Sequence, residues 1–338
     1  MIALLSHEYL AMIFAGLTCF SLLLYAILDG YDLGIGICLP MRGEYSLQYR
    51  DTSIAAIGPF WDANETWLVL SVGLLLVAFP AAHSAILYQL YIPATILLIG
   101  LILRGVAFDF RAKVKNDYQI YWDWTFKIGS VISTFSQGFM LGLYIMGLEY
   151  TAVSLVFATF SGICVTAAYA LIGNCFLIIK TSGEQQLLAI KQAKRYGVFT
   201  FFGILAVCVI NPLVNPSALA VWIDSPFAVL YAIIPLLCFS MFALGYNVLK
   251  RLPLEKDQGS WLPFVITIIV FVTCFIGLVL SFYPYVVPGQ MTMLEAAASP
   301  ESLSIILIGA IVVVPIIFMY TAFTYYAFRG KAEGLRYY

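Results

Sequence analysis

Charge is scarce in this chain. Lys, Arg, Asp and Glu make up 10% of its 338 residues, against 62% apolar residues and a mean hydropathy of +0.96. That excludes an ordinary soluble globular domain and points to a polytopic membrane protein. Histidine is scarcer still: there are two, His7 and His83, and both are expected at one edge of the membrane. HExxH, Walker-type phosphate loops and Ser-His-Asp arrangements are absent. So is any CxxC pair; the seven cysteines lie scattered through apolar runs and read as small packing residues. The first apolar run follows Glu8 without a basic region or a small-residue cleavage site, so no cleavable signal peptide is expected. The net charge of −1 by itself gives no pull toward nucleic acid, and no nucleic-acid partner is expected.

What the chain has in quantity is apolar runs long enough to cross a bilayer. Nine are read, at about 9–29, 61–80, 84–104, 125–147, 153–179, 196–212, 226–249, 261–283 and 302–328. The expected fold is therefore all-α, with about nine transmembrane helices arranged as two four-helix bundles plus one extra helix. The chain reads as one membrane domain: 9–150 the first bundle, 151–283 the second, 284–338 an outer loop, the ninth span and a tail.

The placement of charge supports this count. All 17 basic residues fall in odd-numbered connections, at their edges, or in the C-terminal tail. They are Arg42 and Arg50; Arg104, Arg111, Lys113, Lys115 and Lys127; Lys180, Lys191, Lys194 and Arg195; Lys250, Arg251 and Lys256; and Arg329, Lys331 and Arg336. The acids expected on the other side are Glu8, Glu149, Asp224, Glu295 and Glu301. An excess of Lys and Arg marks the cytoplasmic side, which predicts an outer N-terminus and an inner C-terminus. The longest outer connection, 284–301, holds a short amphipathic stretch expected to lie at the interface.

Three clusters could carry chemistry. In GPFWDANETW (58–67), Pro59 suits a first helical turn, and Asp62 and Glu65 stand near the positive end of the helix dipole, three residues apart on one face. Trp61 fits an interfacial belt, whereas Trp67 lies deeper and is expected to pack within the bundle. In LDGYDLGIG (28–36), Asp29 and Asp32 are again three apart, about 30 Å along the helix from Tyr9, among glycines that allow close helix approach or a bend. In LRGVAFDFR (103–111), Arg104 closes an apolar run and Asp109 and Arg111 follow. Spans adjacent in sequence tend to pack together. Asp29, Asp32, Asp62, Glu65, Arg104 and Asp109 are thus expected in one layer at the inner face, where carboxylates crowded out of water and steadied by a guanidinium can exchange protons. The plain alternative is that these are helix caps and anchors. A fourth feature, Ser130, Ser133, Thr134 and Gln137 at helical spacing, forms a polar stripe that must face protein or water rather than lipid.

These motifs, in this order and spacing, resemble subunit II of the cytochrome bd-type quinol oxidases, including the branch called cyanide-insensitive oxidase. GSVISTFSQG, KTSGE, FYPYVVP and PIIFMYTAFTYYAFRGK extend the likeness over nearly the whole chain. Ala63 stands where the family's WDGNE pattern has Gly, which leaves the acids in place. The resemblance implies an inner-membrane partner, subunit I, that holds haem b and haem d, oxidises quinol and reduces O2 to water with cytoplasmic protons. A small single-helix subunit is a further partner it allows, and a quinone or lipid a further ligand. No haem is clearly expected on this chain. The resemblance makes Asp29, Asp62 and Glu65 the candidate proton carriers, with Asp32, Asn64, Arg104 and Asp109 supporting them, and Trp67 a candidate on an oxygen path. The rival classes are a proton-coupled secondary transporter and a purely structural membrane subunit.

Overall fold

The computed structural model describes residues 6–43, 46–214, 228–254 and 257–332. Its helices are α1 (His7–Cys38), α2 (Ser46–Ile57), α3 (Trp61–Ala78), α4 (Pro80–Arg111), α5 (Asn116–Ile145), α6 (Ala152–Lys180), α7 (Gly183–Val214), α8 (Ala228–Arg251), α9 (Leu262–Phe282), the short α10 (Met293–Ala296) and α11 (Pro300–Ala327). Eight of them are long and apolar enough to cross a membrane. α2 and α3, bent by 51° at their junction, make the ninth span if counted together. Lys256, Arg336 and Asp224 lie outside the described residues.

Helix ends differ from the sequence expectation in a consistent way. α1 runs to Cys38 rather than ending near Asp29, so Asp29 lies about 14 Å inside the helix end. The run at 196–212 is the latter part of a 32-residue helix, α7. Hydropathy detects only the part of a helix in hydrocarbon, while intrahelical hydrogen bonding continues into the polar boundary. Pro59 precedes α3 in a turn, and Phe60 is the residue that caps the helix. The outer connection is a hairpin, β1 (Tyr285–Val287) with β2 (Met291–Thr292), followed by α10. α10 starts with a capping box: the Thr292 hydroxyl accepts from the Glu295 backbone N–H, and the Glu295 carboxylate accepts from the Thr292 backbone N–H.

α1 stands at the centre, packed on α3, α5 and α6. α4, α5, α6 and α7 follow as neighbours in chain order, and the α8–α9 hairpin leans on α6 and α7. Small residues set the close crossings, as expected where lipid removes the hydrophobic drive between helices. A Cβ on Gly34 would stand 1.8 Å from the Tyr169 carbonyl oxygen, and one on Gly173 would stand 2.6 Å from the Gly34 carbonyl carbon. Gly138 and Gly142 of α5 approach Ser161, Gly162 and Ala158 of α6 in the same manner.

The two ends of the bundle are chemically distinct. At one end His7 meets the Ala298 carbonyl, Ala298 donates its N–H to Ala78, and Tyr144 donates to Val286. At the other, Lys127 donates to the Ile37 and Leu39 carbonyls, capping α1, and Lys180 donates to the Phe328 and Gly330 carbonyls.

Candidate functional site

Arg104, 1% exposed on α4, bridges two other helices. Its Nη1 donates to Asp29 Oδ1 of α1 at 2.5 Å, and its Nη2 to Glu65 Oε2 of α3 at 2.9 Å. Asp29 is fully buried, whereas the Glu65 side chain is 28% exposed. The ion cluster therefore runs from the surface of the chain to its interior within one guanidinium's reach.

Beside it Asn64, fully buried, donates from Nδ2 to Asp32 Oδ2 at 2.7 Å and to the Tyr31 hydroxyl at 2.8 Å. Tyr31 and Tyr325 share a hydroxyl–hydroxyl bond of 2.5 Å, and Tyr325 donates to Asn64 Oδ1 at 3.2 Å. α11 is thereby joined to the two helices that carry Asp32 and Asn64. Tyr31 is held flat by a ring stack on Phe176, centroids 4.1 Å apart. On the other side of Asp29 stands Tyr25, whose hydroxyl accepts from Gln137; Gln137 Oε1 in turn accepts from Tyr169. The polar stripe of α5 thus faces protein: Ser130, Ser133 and Thr134 are buried.

Asp29 Oδ2, Asp32 Oδ1, Arg104 Nε and Trp67 Nε1 are buried without a protein partner. Buried polar atoms are costly unless bonded, and those of the paired Asp29 and Arg104 and of Asp32 mark a place suited to ordered water or to a shared proton.

The structure brings together Asp29, Asp32, Asn64, Glu65 and Arg104. It does not bring in Asp62 or Asp109, which are exposed on the outer faces of α3 and α4. One helical turn separates Asp62 from Glu65, so Asp62 borders the cluster's exposed member. Of the six charged groups expected in one layer, Asp62 and Asp109 stay outside the buried hydrogen-bonded group, because helical phase puts them opposite the buried Asn64 and Ala107, although the charge of Asp62 still acts on Glu65. Trp67 is 1% exposed and packs edge-on against Phe20, centroids 6.2 Å apart.

A second buried ion cluster escaped the sequence analysis. Asp123, fully buried on α5, accepts from Arg50 Nε at 2.6 Å and Arg111 Nε at 2.5 Å, and Arg111 Nη2 donates to Asp51 at 2.5 Å. It fastens α2 to α4 and α5. The only hint in the sequence is an acid set between two tryptophans, YWDWTF.

His7 is taken up by the Ala298 carbonyl, and neither histidine lines the larger cavity, which lies between α6, α7, α8 and α9. No group of three or more His, Cys, Asp or Glu suited to a metal ion occurs among the described residues.

Comparison with known proteins covers more than nine-tenths of the chain. The chain is 29% identical to cytochrome bd ubiquinol oxidase subunit 2 of Bacillus subtilis strain 168, over 91% of this chain and 93% of that one. It is 25% identical to cytochrome bd-I ubiquinol oxidase subunit 2 of Escherichia coli K12, covering 97% and 96%. Its fold is similar to a chain of the bd oxidase structure from Geobacillus thermodenitrificans, with a TM-score of 0.71 and 16% identity over 93% of this chain and 98% of that one. The family model for cytochrome bd terminal oxidase subunit II matches residues 10–328, and the chain belongs to that family.

Proposed function

We propose that this chain serves a bd-type quinol oxidase as the companion of a haem-bearing subunit I, and that it delivers protons to the site where O2 is reduced to water. The reading of the chain as a subunit of such an oxidoreductase rests on the family match and on the named relatives. Haem b and haem d belong, on this proposal, to the partner. This chain's own part is to hold that partner and to move protons through carboxylates. The basic end of the bundle faces the cytoplasm and His7 the periplasm of a bacterial inner membrane, as the distribution of Lys and Arg favours.

The observation that carries the proton route is one guanidinium joining a part-exposed carboxylate to a fully buried one. Asp62 at the surface collects a proton, and Glu65 takes it up. Asp29 carries it inward, and water held at the unpartnered oxygens of Asp29 and Asp32 bridges the remaining gap. Arg104 keeps the carboxylates close and limits the cost of their burial. Asp32 and Asn64 hold the inner end of the route in place, and Asp109 stays at its margin. An oxygen path past Trp67 has less behind it, because that ring lines neither the cavity between α6 and α9 nor the small one beside Cys38.

The test is Asp29→Asn and Glu65→Gln in the assembled complex, with quinol-driven O2 consumption and haem absorption measured together. A relay predicts turnover lowered about a hundredfold, the scale of a lost proton-transfer group, at unchanged haem content. Full turnover with full haem content rejects the relay. Loss of haem in step with turnover assigns the cluster to assembly. A complex that lacks haem and moves a solute would favour a transporter.

A further inference from the structure

One cavity, separate from the ion cluster, has none of Asp29, Asp32, Asn64, Glu65 or Arg104 in its lining. It is a cleft of about 440 Å³ between α6, α7, α8 and α9, at the basic end of the bundle. Its walls are apolar: Leu171, Phe201, Phe239, Phe242, Ile266 and Val270. It opens sideways, where Val198 and Phe202 are 44% and 59% exposed. Cationic chemistry is confined to Lys194, in the lining, and to Lys250, whose Nζ stands 4.5 Å over the ring of the lining residue Tyr246. No aspartate or glutamate lines the cleft, and neither Lys194 nor Lys250 has an ion pair among the described residues.

We infer that this cleft binds one anionic glycerophospholipid, with an acyl chain between α7 and α8 and its phosphate at Lys194 and Lys250. A compact polar ligand would need several convergent hydrogen-bonding groups around it to fix its orientation, and the polar groups of the walls, Thr267 and Cys175, are already engaged, Thr267 donating to the Pro263 carbonyl and meeting the Cys175 thiol. A long apolar arm with a single negative head matches the division of the surface into an apolar slot and a cationic mouth. Lys250 lies in the last turn of α8, and Lys194 lies where the charged first turns of α7 give way to its apolar run, the boundary at which long basic side chains extend toward phosphate. Gly197 keeps the slot open: a Cβ there would meet only Leu171 Cδ1, at 3.7 Å, so a larger side chain can be accommodated but would occupy the slot.

The experiment uses the protein purified in its native assembly and placed in phosphatidylcholine nanodiscs doped with acyl-chain spin-labelled phosphatidylglycerol. The wild type is expected to show an immobilised spin population that labelled phosphatidylcholine does not give. Lys194→Gln and Lys250→Gln should each lower that population about fivefold, the scale of one lysine at an anionic surface. Gly197→Leu should abolish it at unchanged helix content. Equal immobilisation of both labelled lipids overturns the headgroup assignment, as does full retention in both lysine variants. If Gly197→Leu does not assemble, the lysine variants still decide. Release of a quinone or free fatty acid on extraction, with no phospholipid retained, overturns the choice of occupant.

Discussion

Arg104 is the residue on which the buried charges depend. Asp29 lies in a segment where an unpaired carboxylate is costly, and the guanidinium's fork lets one side chain serve carboxylates on two helices. Arg104→Gln leaves Asp29 without its cation, and breaking a buried pair from one side costs about 3–5 kcal/mol. The expected result is a complex that melts several degrees lower and is recovered in lower yield, read by thermal denaturation of the purified assembly. Arg104→Lys should fall between, since an ammonium cannot reproduce the fork. The pairing of Arg104 with acids of the first two spans was legible in the sequence, because ionisable groups at matching depth on neighbouring spans lower one another's burial cost when they meet. What sequence could not resolve was helical phase. It turns Asp62 and Asp109 outward and Asn64 inward, although all three carry polar side chains in the same short motifs. Tyr325 was equally hidden, because its partners are fixed only when α11 is placed against α1 and α3.

Among the elements, the crossing of α1 and α6 leaves the least room. Gly34 and Gly173 face each other with backbone where a side chain would go. Gly34→Ala requires the helices to part, and overpacking of this kind typically costs about 1–3 kcal/mol. Since α1 also presents Asp29 and Asp32, a shift there should lower turnover as well as thermal stability. Gly105 supplies the contrast. A Cβ there would meet only Trp61, at 3.7 Å, so Gly105→Ala should be neutral or raise stability by up to about 1 kcal/mol through helix propensity. Opposite signs for two Gly→Ala changes in thermal denaturation would test this account of the packing. The glycines of LDGYDLGIG signalled a close approach in advance, but not which helix would fill it. The outer hairpin gave less warning, because β1 and β2 are too short to show an alternating pattern. α7 was underestimated because its first turns carry the charges that end a hydropathy window.

For the molecule as a whole, the basic end is also where the C-terminal segment is tied down. Lys180 holds the Phe328 and Gly330 carbonyls, Ala332 donates its N–H to the Lys180 carbonyl, and Lys331 donates to Thr181 while pairing with Asp257. Asp257 also accepts from Gln186, so the loop between α8 and α9, the start of α7 and the segment after α11 meet at one carboxylate. Partial burial pushes the Asp257 carboxyl upward, but the bonds from Lys331 and Gln186 outweigh it and hold its pKa below the ordinary 3.8. A carboxylate whose pKa is depressed by folding stabilises the fold above its unfolded value and loses that contribution as pH falls through the folded value. The tie should therefore be complete at neutral pH and fade only below about pH 4. Both ionic partners are one-third or more exposed, so the effect belongs to the segment rather than to global stability. The measurement is amide hydrogen exchange at Ala332, corrected for the intrinsic pH dependence of exchange. Protection should be constant from neutral pH down to about 4 and fall below it, while Asp257→Asn should show the low protection throughout. Protection in Asp257→Asn equal to wild type at neutral pH would mean that Lys180 alone holds the segment against α6.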